Sequence, residues 1–323
     1  IALWLTDDAK PDLLTREIPS KATALMFSPD GQWLIVGRVD GGIEFWRLED
    51  RSLEQRITVL GDAVMQLLPA GDQSLLAATA DGLVAAFNIQ DNELAYLIAD
   101  HALGAVQSIA FAPDGQLLAA GHQSGAVELW DSLEGVPKQS LLTHGGTVQS
   151  ISFSPDQELM ATGVGERVSP LAFDDTVRIL QWPENAVLYT FNGDQEDVVG
   201  CSGYRNNLSF SADGRLLAGT AHDFTVRVWD VNSGKEVRRL AGHSGPVYDV
   251  TFSSDGTLLA SAADDGFVRV WRTDNFRLVA ELINELGGIT SIAFSPDGQT
   301  LASSNLFGVI NLWDVENWQP VSY

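Results

Sequence analysis

Residues 247–271 read Val247-Tyr-Asp-Val-Thr-Phe-Ser-Ser-Asp-Gly256-Thr-Leu-Leu-Ala-Ser-Ala-Ala-Asp-Asp-Gly266-Phe-Val-Arg-Val-Trp271. Val247 to Phe252 alternates apolar and polar residues, the period of a half-buried strand. Asp255-Gly256 is a tight-turn pair, and Leu258 to Ser261 reads as a second strand. Asp265-Gly266 is another turn, Val268 to Trp271 a third strand, and Arg277 to Leu282 a fourth.

The same grammar recurs along the chain. Phe-Ser-Pro-Asp-Gly at Phe27 returns as Phe-Ala-Pro-Asp-Gly at Phe111 and Phe-Ser-Pro-Asp-Gln at Phe153. It returns again as Phe-Ser-Ala-Asp-Gly at Phe210, Phe-Ser-Ser-Asp-Gly at Phe252 and Phe-Ser-Pro-Asp-Gly at Phe294. Leu67 to Gly71 is a degenerate copy anchored on Leu68, so the steps are 41, 43, 42, 57, 42 and 42 residues. Self-similarity at this period marks a repeat architecture. Four short antiparallel strands per ~42 residues make one blade of a β-propeller. A lone four-stranded sheet cannot bury both faces, whereas a closed ring packs each blade on its neighbours. No stretch has sustained helical periodicity. The expectation is therefore an all-β, seven-bladed propeller occupying 1–323 as a single domain, closed by pairing of the two chain ends. Its first-to-third-strand repeats lie near 21–46, 62–87, 105–130, 147–182, 204–229, 246–271 and 288–313, with 1–20 supplying end strands.

These residues resemble the WD-repeat family over nearly the whole chain. The resemblance rests on Trp130-Asp131, Trp229-Asp230, Trp313-Asp314, the pair Gly242-His243 and the Asp six residues before the strand Trp. It implies a buried structural tetrad in the sixth copy: the Trp271 indole, the Ser261 hydroxyl, the His243 ring and the Asp265 carboxylate. Other copies depart from that pattern. The fourth keeps His144, Thr162 and Asp174 but has Leu180 for the Trp. The first has Asp40 and Trp46 without the His, the second has Phe87 for the Trp, and the seventh has Phe307 for the Asp. Those blades are expected to lean more on apolar packing. The texture is also similar to bacterial WD-repeat arrays. Together with a start in mid-repeat, it reads as a piece of a larger, bacterial-type multidomain protein.

Trp4 precedes Phe27 by the same 23 residues that separate Trp229 from Phe252. Ile1 to Leu5 therefore reads as a third strand and Leu14 to Ile18 as a fourth. Gln319 to Tyr323 is a rival fourth strand beside Ile310 to Val315. Family usage favours Leu14 to Ile18 at that edge.

Lys plus Arg is 19 against 43 Asp plus Glu, a formal net charge of −24. Nucleic-acid wrapping and docking on an anionic membrane both need basic patches, so neither partner is expected. Much of this charge is turn chemistry. Asp30, Asp114, Asp213, Asp255 and Asp297 fall in first-to-second-strand turns on one ring face, and Asp40, Asp81, Asp174, Asp223 and Asp265 in second-to-third-strand turns on the other. The single cysteine, Cys201, excludes a disulfide framework and a cysteine-rich zinc site. A cytoplasmic location is the expectation.

His243, Ser261 and Asp265 invite a hydrolase reading, but the tetrad occupies each group, and no Gly-x-Ser-x-Gly turn or oxyanion hole accompanies them. The five histidines sit in different repeats without ligand spacing. Gly163-Val-Gly165 precedes no helix, and Asp194, Glu196 and Asp197 lack the offsets of a calcium loop. No catalytic residue, cofactor or metal is assigned.

Specificity is expected in the 57-residue step. About eight extra residues lie around Gly163 to Phe173 and about seven around Asn192 to Tyr204. Both insertions open on one face of adjacent blades, and loops carry propeller specificity. The family resemblance adds partner-contact positions: the residue after the first apolar residue of each inner strand, and the residue before the turn Asp. The first set is Thr23, Gln107, Gln149, Asn206, Tyr248 and Thr290. Phe173, Tyr204, Arg205, Asn206, His222, Tyr248 and Asp264 gather over blades four to six, as the expected partner-binding residues. Tyr and Arg are common interface anchors.

The leading expectation is a non-catalytic scaffold or sensor propeller that binds a protein or peptide, with the acid excess favouring a basic one. The alternative is a regulatory, ligand-sensing module of a larger signalling or defence protein, linked in cis to its effector. An enzyme working at the central channel is disfavoured, because the inner-strand starts are mostly Thr, Gln and Asn.

Overall fold

A computed structural model describes residues 2–3, 12–13, 21–58, 61–69, 74–88, 94–98, 106–132, 135–142, 144–164, 166–169, 172–174, 176–182, 184–191, 207–221, 223–283 and 287–321. These residues form seven blades of antiparallel strands and no helix. Blade 1 is Ala22–Phe27, Trp33–Arg38, Gly42–Arg47 and Leu53–Thr58. Blade 6, the stretch quoted at the outset, is Val247–Phe252, Leu258–Ala263, Phe267–Arg272 and Leu278–Ile283. Strand order within each blade follows the sequence.

The repeated Ser-x-Asp-Gly motif explains the first turn chemically. In blade 6 the Ser253 hydroxyl donates to Asp255 Oδ1 (2.6 Å) and accepts the Leu258 N–H (3.0 Å), while Asp255 Oδ1 accepts the Thr257 N–H (2.9 Å). The serine bond is the first reason Asp156, Asp213, Asp255 and Asp297 are held below the usual carboxylate range. Gly256 sits at φ +72°, the left-handed region glycine occupies without a Cβ clash. Gln157 takes that place in blade 4 at φ +63°, and its amide reaches across to blade 3, with Nε2 donating to Asp114 Oδ2 (3.2 Å) and Oε1 accepting the Asp114 N–H (3.0 Å).

Each pair of neighbouring blades buries its own apolar cluster, including blade 7 against blade 1, where Ala302 and Ile310 meet Leu25, Leu34 and Trp46. The residue at the Trp position always packs toward the preceding blade. Trp271 lies with Val226, Val228 and Leu240 of blade 5, and Trp313 with Val268 and Val270 of blade 6. Phe87 and Leu180 fill the same slot in blades 2 and 4. Beside the smaller Leu180, Trp182 packs edge-on to Phe153, with ring centroids 6.4 Å apart.

A belt of polar bonds laces the inner strands around the channel. Thr23 Oγ1 donates to the Val64 carbonyl. Gln66 donates to Ile109 O (2.8 Å) and accepts its N–H (2.8 Å). Ser108 Oγ donates to Val148 O (3.0 Å), and Ser150 Oγ accepts the Leu208 N–H (2.9 Å). Asn207 Nδ2 donates to Asp249 Oδ1, and Asp249 Oδ2 accepts the Ile292 N–H (2.8 Å). Thr290 Oγ1 donates to Ala22 O (3.4 Å) and so closes the circle. Every blade boundary is therefore stitched by at least one side chain.

Blade 7 has three named strands, Ile289–Phe294, Thr300–Asn305 and Ile310–Asp314. The outer edge of the third is met by the C-terminal stretch. Trp313 bridges Pro320, Asp314 N–H donates to Gln319 O (2.8 Å), and Val321 N–H donates to Leu312 O (2.9 Å). The cause is local. Asp314 Oδ1 accepts the Glu316 and Asn317 N–H groups, and Trp318 at φ +60° turns the chain back, so a short loop closes at little entropic cost. Leu14 to Ile18, expected at this edge, lies outside the described residues. Ala2–Leu3 pairs with Asp12–Leu13, as adjacent strands of a partial blade would.

The departing blades do not lean on apolar packing alone. In blade 1, buried Arg38 donates to Glu44 Oε2 (2.6 Å), which also accepts the Trp46 indole N–H (3.0 Å). In blade 3, His122 Nε2 lies 3.3 Å from Glu128 Oε2 at the matching positions. In blade 5, Arg227 pairs with Asp223 (3.3 Å).

Candidate partner-binding face

In blade 6 three members of the expected tetrad, Ser261, His243 and Asp265, are hydrogen-bonded in series, and Trp271 joins them by a ring contact rather than through its indole N–H. Ser261 Oγ and His243 Nε2 lie 2.7 Å apart, and His243 Nδ1 lies 3.1 Å from both Asp265 oxygens. Trp271 meets the His243 ring edge-on at 6.3 Å. Asp265 accepts the N–H groups of Ser244 (2.9 Å) and Phe267 (3.1 Å), and Arg269 Nη1 donates to it (2.9 Å). Burial lowers the His243 pKa despite the nearby Asp265. Burial pushes Asp265 up, but the Ser244 N–H, His243 and the Phe267 N–H bring it below its usual range. An imidazole pinned at both nitrogens holds a loop. It is not a free general base.

Blade 4 ties its loop differently from the family pattern. His144 Nε2 lies 2.8 Å from Thr162 Oγ1, and its Nδ1 lies 3.0 Å from Thr176 Oγ1. In blade 7, Trp313 donates to Ser303 Oγ (3.0 Å), and Asn305 Oδ1 takes the turn-capping role by accepting the Phe307 and Val309 N–H groups.

The partner-contact positions have a structural cause. The pairing register shifts between Val247 and Asp249, so Tyr248 is the extra residue of a β-bulge. Thr23, Met65, Gln107, Gln149 and Thr290 sit at the same bulge in their blades. A bulge leaves its extra residue out of the ladder and re-aims its side chain. At Tyr248 this turns the ring to the mouth of a channel of about 230 Å³, which Gln66, Gln107, Gln149, Asn207 and Asp249 also line. Tyr248 Oη donates to Asp264 Oδ1 (3.0 Å). Asp264 in turn is closely packed by Gly288, where an added Cβ would stand 2.6 Å from Asp264 Oδ1. Thr23 and Thr290 instead spend their hydroxyls on neighbouring blades.

Of the expected face residues, Tyr248 and Asp264 are brought together. The first insertion forms an added hairpin, Glu166–Ser169 with Ala172–Asp174, in which the Phe173 backbone pairs with Arg167. Tyr204, Arg205, Asn206 and His222, with the second insertion, lie outside the described residues. One aromatic, read from the sequence only as a departure from the tetrad pattern, proves exposed on this face. Phe307, 63% exposed, stands at the second-to-third-strand turn of blade 7, on the same face as Asp264. Its signal was present as a Phe-Gly turn where the other copies have Asp-Gly.

The family designated WD domain, G-beta repeat matches residues 15–47, 93–131, 135–180, 185–230, 234–272 and 277–314, about three quarters of the chain. The chain belongs to the WD-repeat family. The five matches from residue 93 onward each run from an outer strand through the next blade's third strand. The gap at 48–92 holds the degenerate second copy. A WD repeat-containing protein of Schistosoma mansoni is 30% identical over 42% of this chain and 44% of its own length. Cell division cycle 20.1, cofactor of APC complex, of Arabidopsis thaliana is 27% identical over 53% of this chain and 35% of its own. The target of rapamycin complex subunit wat1 of Schizosaccharomyces pombe is 25% identical over 35% of this chain and 36% of its own. The chain thus spans less than half the length of these curated relatives. All three organisms are eukaryotes, which lends no support to a bacterial texture.

Proposed function

We propose that this WD-repeat propeller is a non-catalytic scaffold that binds a protein or peptide through the loop-bearing face over blades 4 to 6. The observation that carries the reading is the Tyr248–Asp264 pair, an aromatic lifted out of the ladder by a bulge and set beside a carboxylate at the channel mouth. Phe173, Tyr204, Arg205, Asn206 and His222 complete the proposed surface. The ring beneath is rigid, laced by its polar belt and seven buried clusters, which suits presentation of a fixed surface. Relatives named as a cofactor of one complex and a subunit of another support a role in protein assemblies. The acid excess supports a basic partner, and the protein is proposed to act in the cytoplasm.

The test is affinity capture from native extract with the unaltered protein and with a Tyr204→Ala/Tyr248→Ala variant shown to be folded. Loss of the captured partner supports the face, and capture that survives both changes rejects it. A second reading, a regulatory module carried in cis within a longer protein, is favoured by one comparison. Telomerase protein component 1 of Rattus norvegicus matches 72% of this chain with only 8% of its own length.

A further inference from the structure

We propose that the lateral groove between blades 5 and 6 is a second docking site, for an extended acidic peptide segment bearing aliphatic side chains. It lies away from the loop face and has the opposite charge preference.

The groove is bounded by the outer strand of blade 5, Lys235–Leu240, and has a volume of about 540 Å³. That strand reads Lys-Glu-Val-Arg-Arg-Leu, three cations and one acid in a chain of net charge −24. The outer strand of blade 1 carries one charge of each sign, and that of blade 6 carries only Glu281. Pairing register orients the cations. Leu240 lies opposite Val226 and Arg238 opposite Val228, and both valines face Trp271 of blade 6. Arg238 therefore projects on the groove side. Arg239 and Glu236 also line the groove, but the Arg239 guanidinium is held by Glu236 (3.3 Å) and Asp223 (3.6 Å). Among the described residues Arg238 makes no ion pair, and it is exposed.

Around Arg238 the groove is shaped for a side chain. Leu240 and Trp271 form the floor, Phe276 at φ +57° forms one wall, and Val237 (44% exposed) and Leu278 (45% exposed) form an aliphatic rim. A guanidinium above an apolar floor matches a carboxylate, which it holds through two parallel N–H bonds, with an aliphatic neighbour on the rim. A merely solvated face needs neither the excess of cations nor the exposed aliphatic pair. Charge complementarity selects an acidic occupant.

The test is fluorescence polarisation with a labelled hexapeptide of alternating Glu and Leu, and with the same peptide carrying Lys for Glu. The Glu-Leu peptide is expected to bind and to weaken as salt rises. Arg238→Gln is expected to weaken it at least fivefold, and Leu278→Ser at least threefold. Arg239→Gln, the same charge change on a guanidinium already paired within the chain, and Tyr248→Ala on the loop face are each expected to change it less than twofold. No binding, equal binding of the Lys-Leu peptide, or equal losses from Arg238→Gln and Arg239→Gln would overturn the proposal. So would self-association of the chain that Arg238→Gln abolishes without any peptide binding, since the groove would then seat a second copy. Failure here leaves Tyr248 capture untouched, and failure there leaves the groove untouched.

Discussion

Tyr248 lies on the inner strand of blade 6 and Asp264 in the turn that follows its second strand, and a 3.0 Å hydrogen bond from phenol to carboxylate joins them at the rim of the channel. The bond orients a half-buried ring whose backbone position is already fixed by the bulge. Removing the hydroxyl should leave the ring in place, whereas removing the ring deletes the anchor. Tyr248→Phe is expected to retain partner capture and Tyr248→Ala to lose it, with each variant within ~1 kcal/mol of the unaltered protein in urea unfolding. A Phe variant as deficient as the Ala variant would mean that the hydroxyl, not the ring, makes the contact.

The blade 6 tetrad gives a stability prediction of definite sign. Folded His243 has a lowered pKa, chiefly through burial, so the unfolded chain binds the proton first. Its contribution is fully present above the unfolded value near 6.5 and is lost as pH falls below it toward the folded value. Ser261→Ala strands a buried ring nitrogen and is expected to cost about 1–3 kcal/mol at pH 7. Chemical unfolding between pH 5 and 7 reads both effects, and His243→Gln should flatten the slope in that window.

Asp249 runs the other way. Burial raises its pKa to about 6, against the bonds it accepts from the Ile292 N–H and Asn207. Here the folded state binds the proton first. Between the unfolded value near 3.9 and about 6, this group favours folding at lower pH, and the advantage disappears as pH rises through 6. The full swing is about 3 kcal/mol. Asp249→Asn is expected to remove this component, so its stability relative to the unaltered protein should differ between pH 4.5 and pH 7. Parallel pH profiles for the two proteins would contradict the assignment.

The inter-blade slots predict unequal costs for truncation. Trp271 is buried against blade 5, and Trp271→Ala should cost about 3–5 kcal/mol. In blade 4 the slot is shared, so Leu180→Ala should cost about 2–3 kcal/mol and Trp182→Ala should add to it. Thermal unfolding of the single and double variants checks the sharing. A cost for the double variant no larger than for Leu180→Ala would show that Trp182 does not fill the gap.

The motif at Phe27, Phe111, Phe153, Phe210, Phe252 and Phe294 made the blades legible because turn chemistry is local. A Ser, an Asp and a Gly within four residues satisfy one another's hydrogen bonds whatever the blade contacts. The slots were legible for the same reason, since Phe87 and Leu180 keep the periodicity. The buried Arg38–Glu44 ion pair and the His122–Glu128 contact were not, because each depends on two strands being in register and each residue alone looks like surface. The polar belt was hidden likewise, because Gln66 and Asp249 find their partners some forty residues away. On the face, Tyr248 and Asp264 could be named from their positions, but their bond required the bulge. The pairing of Gln319 to Val321 with the edge of blade 7, named in the reading as the rival strand, turns on the Asp314 loop, a local feature.

The central claim, a partner on the loop face over blades 4 to 6, is tested most directly by site-specific photo-crosslinking in native extract. A photoreactive phenylalanine placed at Tyr248 is compared with one at Thr257, in a first-to-second-strand turn on the opposite face. A discrete protein adduct from position 248 and none from position 257 is the predicted result. An adduct from position 257 alone would contradict the account and move the binding surface to the other side of the ring.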